Sequence, residues 1–205
     1  TGTVAENLPM SAPTPTGPNP HAPNLPYFAT KPFGVDYFSR AAVKYTSHAT
    51  LRCSPETLFE IFEDEKSWTR WALGIVDVEW TSPKPFGVGT TRTVRFAGGM
   101  EVYEEFIAWQ TGREMAFTFT GITQPIWNCF GEHYLVEDRG DGTCRLTWTV
   151  AYEPRDTFAR IHALVKPAFT LGFKMYMMRL EQVAATWTPK RTAASSARAA
   201  SGSTA

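Results

Sequence analysis

An arginine and a carboxylate on facing strands can hold the polar end of a small molecule, and Arg92 and Glu105 are the first such pair in this chain. Gly98-Gly99 reads as a two-residue hairpin turn, which pairs residues whose numbers sum to 197, so that Phe96 faces Glu101, Val94 faces Tyr103 and Arg92 faces Glu105. Cross-strand partners share a face. The aromatic side of this hairpin, continuing through Ile107 and Trp109, is the one expected to turn inward. A loop longer by one residue would turn the face over. A second hairpin at Gly140 to Gly142 presents Leu146, Trp148, Val150 and Tyr152 as an apolar row. A two-residue turn there, at Gly140-Asp141 or Asp141-Gly142, brings His133 and Leu135 to the same side, although Phe130, Tyr134 and Val136 make an equally apolar row opposite. Between the two hairpins Met115, Phe117 and Phe119 pair inward with Trp109 and Ile107 if the turn at Thr111 to Arg113 has three residues.

Several kinds of chemistry fit these positions. Arg92 with Glu105 can be a structural ion pair or the polar anchor of a ligand, since a desolvated ion pair is costly and is usually placed where water or a ligand reaches it. As catalytic candidates, His133 or Glu105 would move protons while Arg92 and Tyr103 stabilise an enolate. The bland alternative is that each ring fills the core and His133 is a hydrogen-bonded core or rim histidine. Cys129 and His133 lie four apart but have no visible third partner, so no metal is expected. No nucleophile elbow, phosphate loop or dinucleotide fingerprint is present, and no cofactor is expected.

The elements that would position these residues follow from periodicity. Val43 to Leu51 alternates and is rich in β-formers; Ser54, Pro55 and Glu56 then start a short helix, and a second short helix around Lys66 to Trp71 leads to Gly74. Six further strand-like segments begin at Ile75. After Pro154, apolar residues at Phe169, Phe173, Met177, Leu180, Ala184 and Trp187 recur at three and four, the mark of an amphipathic helix from about Pro167 to Trp187, preceded by an irregular one from about Asp156 to Val165. The organisation expected is a proline-rich arm over residues 1–40, mostly disordered with an aromatic end, one domain over 41–187, and a flexible tail over 188–205.

Composition limits the partners. The chain has 205 residues, 43% of them hydrophobic, with seven tryptophans, which is ample for one core. Twenty basic residues balance twenty acidic ones, which removes the broad electrostatic footprint of a nucleic-acid binder. No apolar run reaches the roughly 18 residues that span a bilayer, and no leader pattern is visible, so the expectation is a cytoplasmic protein without integral membrane association. Three cysteines at unremarkable spacings are expected to be small core residues.

The order strand, two short helices, six strands, long helix resembles the START-like or SRPBCC superfamily, the helix-grip proteins. The likeness is carried by LRCSPETLFEIFEDEKSWTRWALGIVDVEW, FGVGTTRTVRF, WQTGREMAFTF and DGTCRLTWTVAYEP, and it covers roughly Val43 to Trp187. Within that superfamily the chain looks most like the polyketide cyclase/dehydrase and lipid-transport-like group. The resemblance implies an α+β fold in which a seven-stranded curved antiparallel sheet wraps the last helix and leaves a cavity. The ligand-binding set expected there is Arg92, Val94, Tyr103, Glu105, Trp109, Phe117, Phe119, His133 and Trp148 from the sheet, with Phe169, Phe173 and Met177 from the helix. The leading expectation is a carrier or sensor of a small apolar molecule such as a lipid, polyketide or isoprenoid. The alternatives are a cofactor-independent cyclase or dehydratase, and a module that docks a protein partner through the N-terminal arm.

Overall fold

The computed structural model describes residues 13–189. Its elements follow the local chemistry closely. Strand β2 (Val43–Leu51) leads into α2 (Pro55–Glu63), where Ser54 Oγ accepts the Thr57 N–H at 3.2 Å and Pro55 occupies a first turn that needs no donor from it. Helix α3 (Glu65–Trp71) starts on Asp64, whose carboxylate accepts the Ser67 N–H at 3.1 Å. Six strands follow: β3 (Ile75–Trp80), β4 (Thr91–Phe96), β5 (Glu101–Gln110), β6 (Glu114–Ile122), β7 (Trp127–Asp138) and β8 (Cys144–Pro154). They pair antiparallel in the order β2-β8-β7-β6-β5-β4-β3, and α4 (Asp156–Thr186) lies across the concave face. This is the curved sheet and long terminal helix that the resemblance implies.

Helix α4 differs from expectation in running unbroken for 31 residues with Pro167 inside it. A proline removes one backbone donor and crowds the preceding turn. Here Trp127 packs edge-on against Phe158 before the proline and Phe169 after it, at 5.1 and 5.8 Å between ring centroids, so one sheet residue holds both halves in line.

The arm also departs from its composition. Residues 1–12 and 190–205 lie outside the described residues, but from Pro13 onward the chain is laid on the convex face of the sheet. Asn19, only 3% exposed, donates to the Tyr103 hydroxyl at 2.8 Å and accepts the backbone N–H groups of His21 and Ala22. His21 stacks on Tyr103 at 4.2 Å. Strands β6 and β7 part company after the Thr118 and Gly131 pair, and β1 (Phe28–Ala29) takes the vacated edge of β6 opposite Ile122 and Gly121. The Lys31 N–H reaches the Asn128 carbonyl of β7 at 2.7 Å, so the arm spans the split. A one-turn helix, α1 (Tyr37–Arg40), then buries Phe38 before β2 begins.

Gly121 is where the arm seats. A Cβ there would fall 2.1 Å from the Tyr27 ring, whose hydroxyl donates to the Thr120 carbonyl at 2.9 Å. Gly121→Ala should therefore cost about 1–3 kcal/mol in the full chain through overpacking. In a chain lacking residues 1–29, itself less stable in urea unfolding, the same substitution should be nearly neutral. Strict additivity of the two changes would mean that Tyr27 does not occupy this face.

Candidate functional site

The register of β4 against β5 decides which charges lie inside. The pairs are Thr91 with Glu105, Arg92 with Glu104, Thr93 with Tyr103, Val94 with Val102 and Arg95 with Glu101. The loop therefore holds Ala97, Gly98 and Gly99 rather than the two glycines alone. Its cause is local: the Ala97 N–H donates to the Gly74 carbonyl at 2.7 Å and is drawn out of the ladder, while both glycines take positive φ. Arg92 keeps its inward face, but its partner is Glu104. Glu105 points outward and is exposed, which corrects the expected pairing.

Tyr103 is displaced by the same step. It lies on the convex face, buried under the arm and bonded to Asn19 and Glu101, so it does not meet the cavity. His133 is corrected by the other hairpin. Asp138 pairs with Cys144, leaving a loop from Arg139 to Thr143 in which Asp138 and Asp141 accept the backbone N–H groups of Gly140 and Thr143. That longer loop reverses the expected parity. His133 faces outward, 2.8 Å from Glu114 and packed on Phe38, and Cys129 contacts the Tyr37 hydroxyl on the same side. The inward row is Phe130, Glu132, Tyr134 and Val136.

A cavity of about 540 Å³ lies between the concave sheet, α3 and α4. Arg92, Phe117, Phe119, Phe169 and Phe173 of the expected set line it. Val94, Trp109, Trp148 and Met177 are on the inner side but sit beside or behind that wall. Val94 faces Val78, and Trp109 packs with Phe59, Trp80, Phe86 and Phe106 toward another part of the sheet. Met177 is a buried core residue of α4, and Trp148 stands behind Glu132 with Tyr176 stacked on it. Glu104, Glu132 and Trp71, outside the expected set, also line the cavity. Two of them carry a signal in the sequence, because each is a carboxylate interrupting an apolar alternating row, Val102-Glu104-Phe106 and Phe130-Glu132-Tyr134.

The charged groups among the lining residues converge on one end. Arg92, 1% exposed, donates from Nε to Glu104 Oε2 at 2.5 Å. Its guanidinium is caged by rings, with Cζ 4.0 Å from the centroid of Trp68, 4.8 Å from Phe117 and 5.1 Å from Phe106. Cation–π contact of this kind supports a desolvated charge. Arg92 Nη1 is buried without an acceptor, and so is Trp71 Nε1, whose ring packs on Trp68 at 4.6 Å. Glu132 Oε2 accepts from the Tyr134 hydroxyl and from Trp148 Nε1, the latter at 2.9 Å.

Burial is the main force on the acids. It pushes the Glu132 carboxyl up to about 7; the negative charge of Glu104 adds to this, while the hydrogen bonds from Tyr134 and Trp148 and the charge of Arg92 oppose it. Burial likewise raises Glu104, against the pull of Arg92. Tyr134 and Tyr176 stay protonated hydroxyls, both raised by burial with Glu132 adding to it. Arg95, by contrast, meets Asp77, Glu79 and Glu101 on the outer face, an ordinary surface network.

A curved sheet gripping a long helix around an apolar cavity with a few convergent polar groups defines a hydrophobic ligand-binding fold. The chain belongs to the family described as polyketide cyclase / dehydrase and lipid transport, whose profile matches residues 42–185. An uncharacterized protein of Mycobacterium tuberculosis is 36% identical to it over 149 residues, spanning 73% of this chain and 89% of its own, and one of Mycobacterium bovis matches equally. Among solved structures, a START superfamily protein from Mycobacterium smegmatis superposes with a TM-score of 0.59 at 11% identity, covering 71% of this chain and 99% of that one. The major latex-like protein 151 of Panax ginseng gives 0.54 at 14% identity, covering 69% and 97%. At those identities the likeness is one of fold alone. No described helix is long and apolar enough to cross a membrane.

Two outcomes follow for stability. Arg92→Met leaves Glu104 without its cation and should cost about 3 kcal/mol or more near neutral pH, while adding Glu104→Gln should recover much of it in chemical unfolding. The acids set the pH dependence. A carboxyl raised in the folded state binds its proton more tightly than in the unfolded chain, so its contribution is whole below the ordinary 4.5 and is lost as pH rises to about 7. Stability should fall across that window and level off above it, and Glu132→Gln should remove most of the slope. A wild-type profile rising through the window would contradict the burial of these groups.

Proposed function

We propose that this protein binds a small, largely apolar molecule in the inner cavity, with its polar atoms at the Arg92, Glu104 and Glu132 end, and acts as a carrier or sensor. The observation that carries this reading is the composition of the wall. Trp68 and Trp71 from α3, Phe119, Trp127 and Phe130 from the sheet, and Phe169 and Phe173 from α4 face one space, with charge confined to one end. A volume of about 540 Å³ is within the range of small-molecule pockets, roughly 300–1,000 Å³. Family membership supports the same reading, since the family's description includes lipid transport. Lipids, polyketides and isoprenoids all share the required chemistry of an apolar body with sparse oxygen.

A second reading has its own support. Glu132, with a carboxyl pushed to about 7 inside a cavity that also holds a caged guanidinium, is suited to moving protons near neutrality, as a cyclase or dehydratase requires. In that reading Glu132 takes the acid/base role and Arg92 polarises a carbonyl. Turnover of a poly-β-keto or cyclic enone substrate that is lost in Glu132→Gln would favour it over simple carriage.

Occupancy of the cavity is testable without knowing the ligand. Gly172 lines the cavity on α4, and a Cβ there would meet nothing within 4 Å. Gly172→Phe should fold, helped by leaving a poor helix former behind, and should fill part of the space. A panel of long-chain and polycyclic apolar compounds should raise the melting temperature of the wild type with the logarithm of concentration. The same panel should have little effect on Gly172→Phe. Equal shifts in both proteins would place the binding elsewhere, and no shift in either would remove the reading.

A further inference from the structure

We infer that the cavity selects uncharged oxygen-bearing apolar molecules, ketones and alcohols, over fatty carboxylates of the same length. This rests on the reading that the cavity is a binding site and names the ligand class it takes. Among the lining residues of the cavity there is one cation, Arg92, and two carboxyls, Glu104 and Glu132. Arg92 spends its charge on Glu104, to which it is directly bonded with both side chains almost fully buried. A third carboxylate brought by a ligand would enter a desolvated space where no cation remains to meet it, and an unpaired buried charge is far more costly than a buried neutral oxygen with a donor.

Donors, however, are in surplus. Arg92 Nη1 and Trp71 Nε1 are both buried and without acceptors, and both residues pack against the Trp68 ring. The third donor is Glu132. Its Oε2 already accepts from Tyr134 and Trp148, so the proton of the neutral carboxyl falls to Oε1. A carbonyl or hydroxyl oxygen fits this deficit: it accepts from such donors and adds no charge. The charged and titratable groups around Glu132 are Glu104 of β5, Arg92 of β4, Tyr134 of its own strand and Tyr176 of α4. Tyr176 spends its hydroxyl on the Leu73 carbonyl. Once Glu132 ionises, a donor becomes a negative oxygen facing the ligand's lone pairs. Affinity for a ketone should then fall as pH rises through about 7.

The test is a series on one skeleton, dodecan-2-one, dodecan-2-ol, dodecane, dodecylamine and dodecanoate, titrated against the full chain by displacement of a fluorescent apolar probe at about pH 6 and about pH 8. The ketone and the alcohol should bind about tenfold or more tightly than dodecanoate at the higher pH, where the fatty acid is ionised. Ketone affinity should weaken between the two conditions in the wild type and stay level in Glu132→Gln, whose amide remains a donor at both. Tightest binding by dodecanoate, or ketone binding indifferent to pH in the wild type, would overturn the selectivity while leaving the cavity a binding site. If no member of the series displaced the probe, the binding reading itself would fall and the selectivity with it.

Discussion

Removing a carboxylate from water costs several kcal/mol unless a cation meets it, and the residues lining the cavity include Glu104 and Glu132 against one cation, Arg92. The rest of the architecture can be followed outward from that imbalance. Arg92 keeps its charge because Trp68, Phe117 and Phe106 surround the guanidinium and Glu104 meets its Nε. Trp68 can stand there only because α2 and α3 are capped by Ser54 and Asp64, which turn the chain over that end of the sheet. Glu132, two strands away from Glu104 across β6, is met instead by neutral donors, Tyr134 and Trp148, whose hydrogen bonds only partly offset the burial that leaves it ready to take up a proton. Trp148 is positioned in turn by Tyr176 of α4. Charge balance inside the sheet and the closure of the helix over it are thus one arrangement.

The two faces of the sheet divide the labour. The convex face is covered by the arm, whose rings settle over Gly121 and Gly131, where a Cβ would strike Tyr27 at 2.1 Å and Phe33 at 2.6 Å. That covering has a mechanical consequence for the cavity. Strands β6 and β7 separate beyond Thr118 and Gly131, and Phe119, Trp127 and Phe130 of the cavity wall belong to the parted segments. The arm, bonded to Thr120 on one side and Asn128 on the other, ties the split from outside. A proline-rich segment suits this task, since its restricted backbone loses less entropy on being laid down.

Much of the fold was legible because its signals are local: alternation in the strands, a serine and proline starting α2, and three- and four-residue spacing in α4. The site was legible only in part, because its faces depend on the parity of two loops. At Gly98-Gly99 the Ala97 N–H leaves the ladder for Gly74, a contact between strand ends that no local pattern announces, and the partner of Arg92 becomes Glu104 instead of Glu105. At Asp138 to Cys144 two aspartates fold the loop around their own carboxylates, and Glu132 takes the inward place expected for His133. Trp109 lies on the inner side for a reason hidden from the pattern: the register slips between Phe106 and Ala108, which restores the parity lost at the turn. The unpaired donors of Arg92 and Trp71 are properties of three-dimensional packing and leave no trace in residue order.

The most direct measurement of the central claim is a crystal structure of the full chain with a long-chain ketone bound. The account predicts the hydrocarbon among Phe119, Phe130, Phe169 and Phe173, with the carbonyl oxygen within hydrogen-bond distance of Arg92, Trp71 or Glu132. A ligand seated on the convex face, or one lying in the cavity with its oxygen turned away from that charged end, would contradict it.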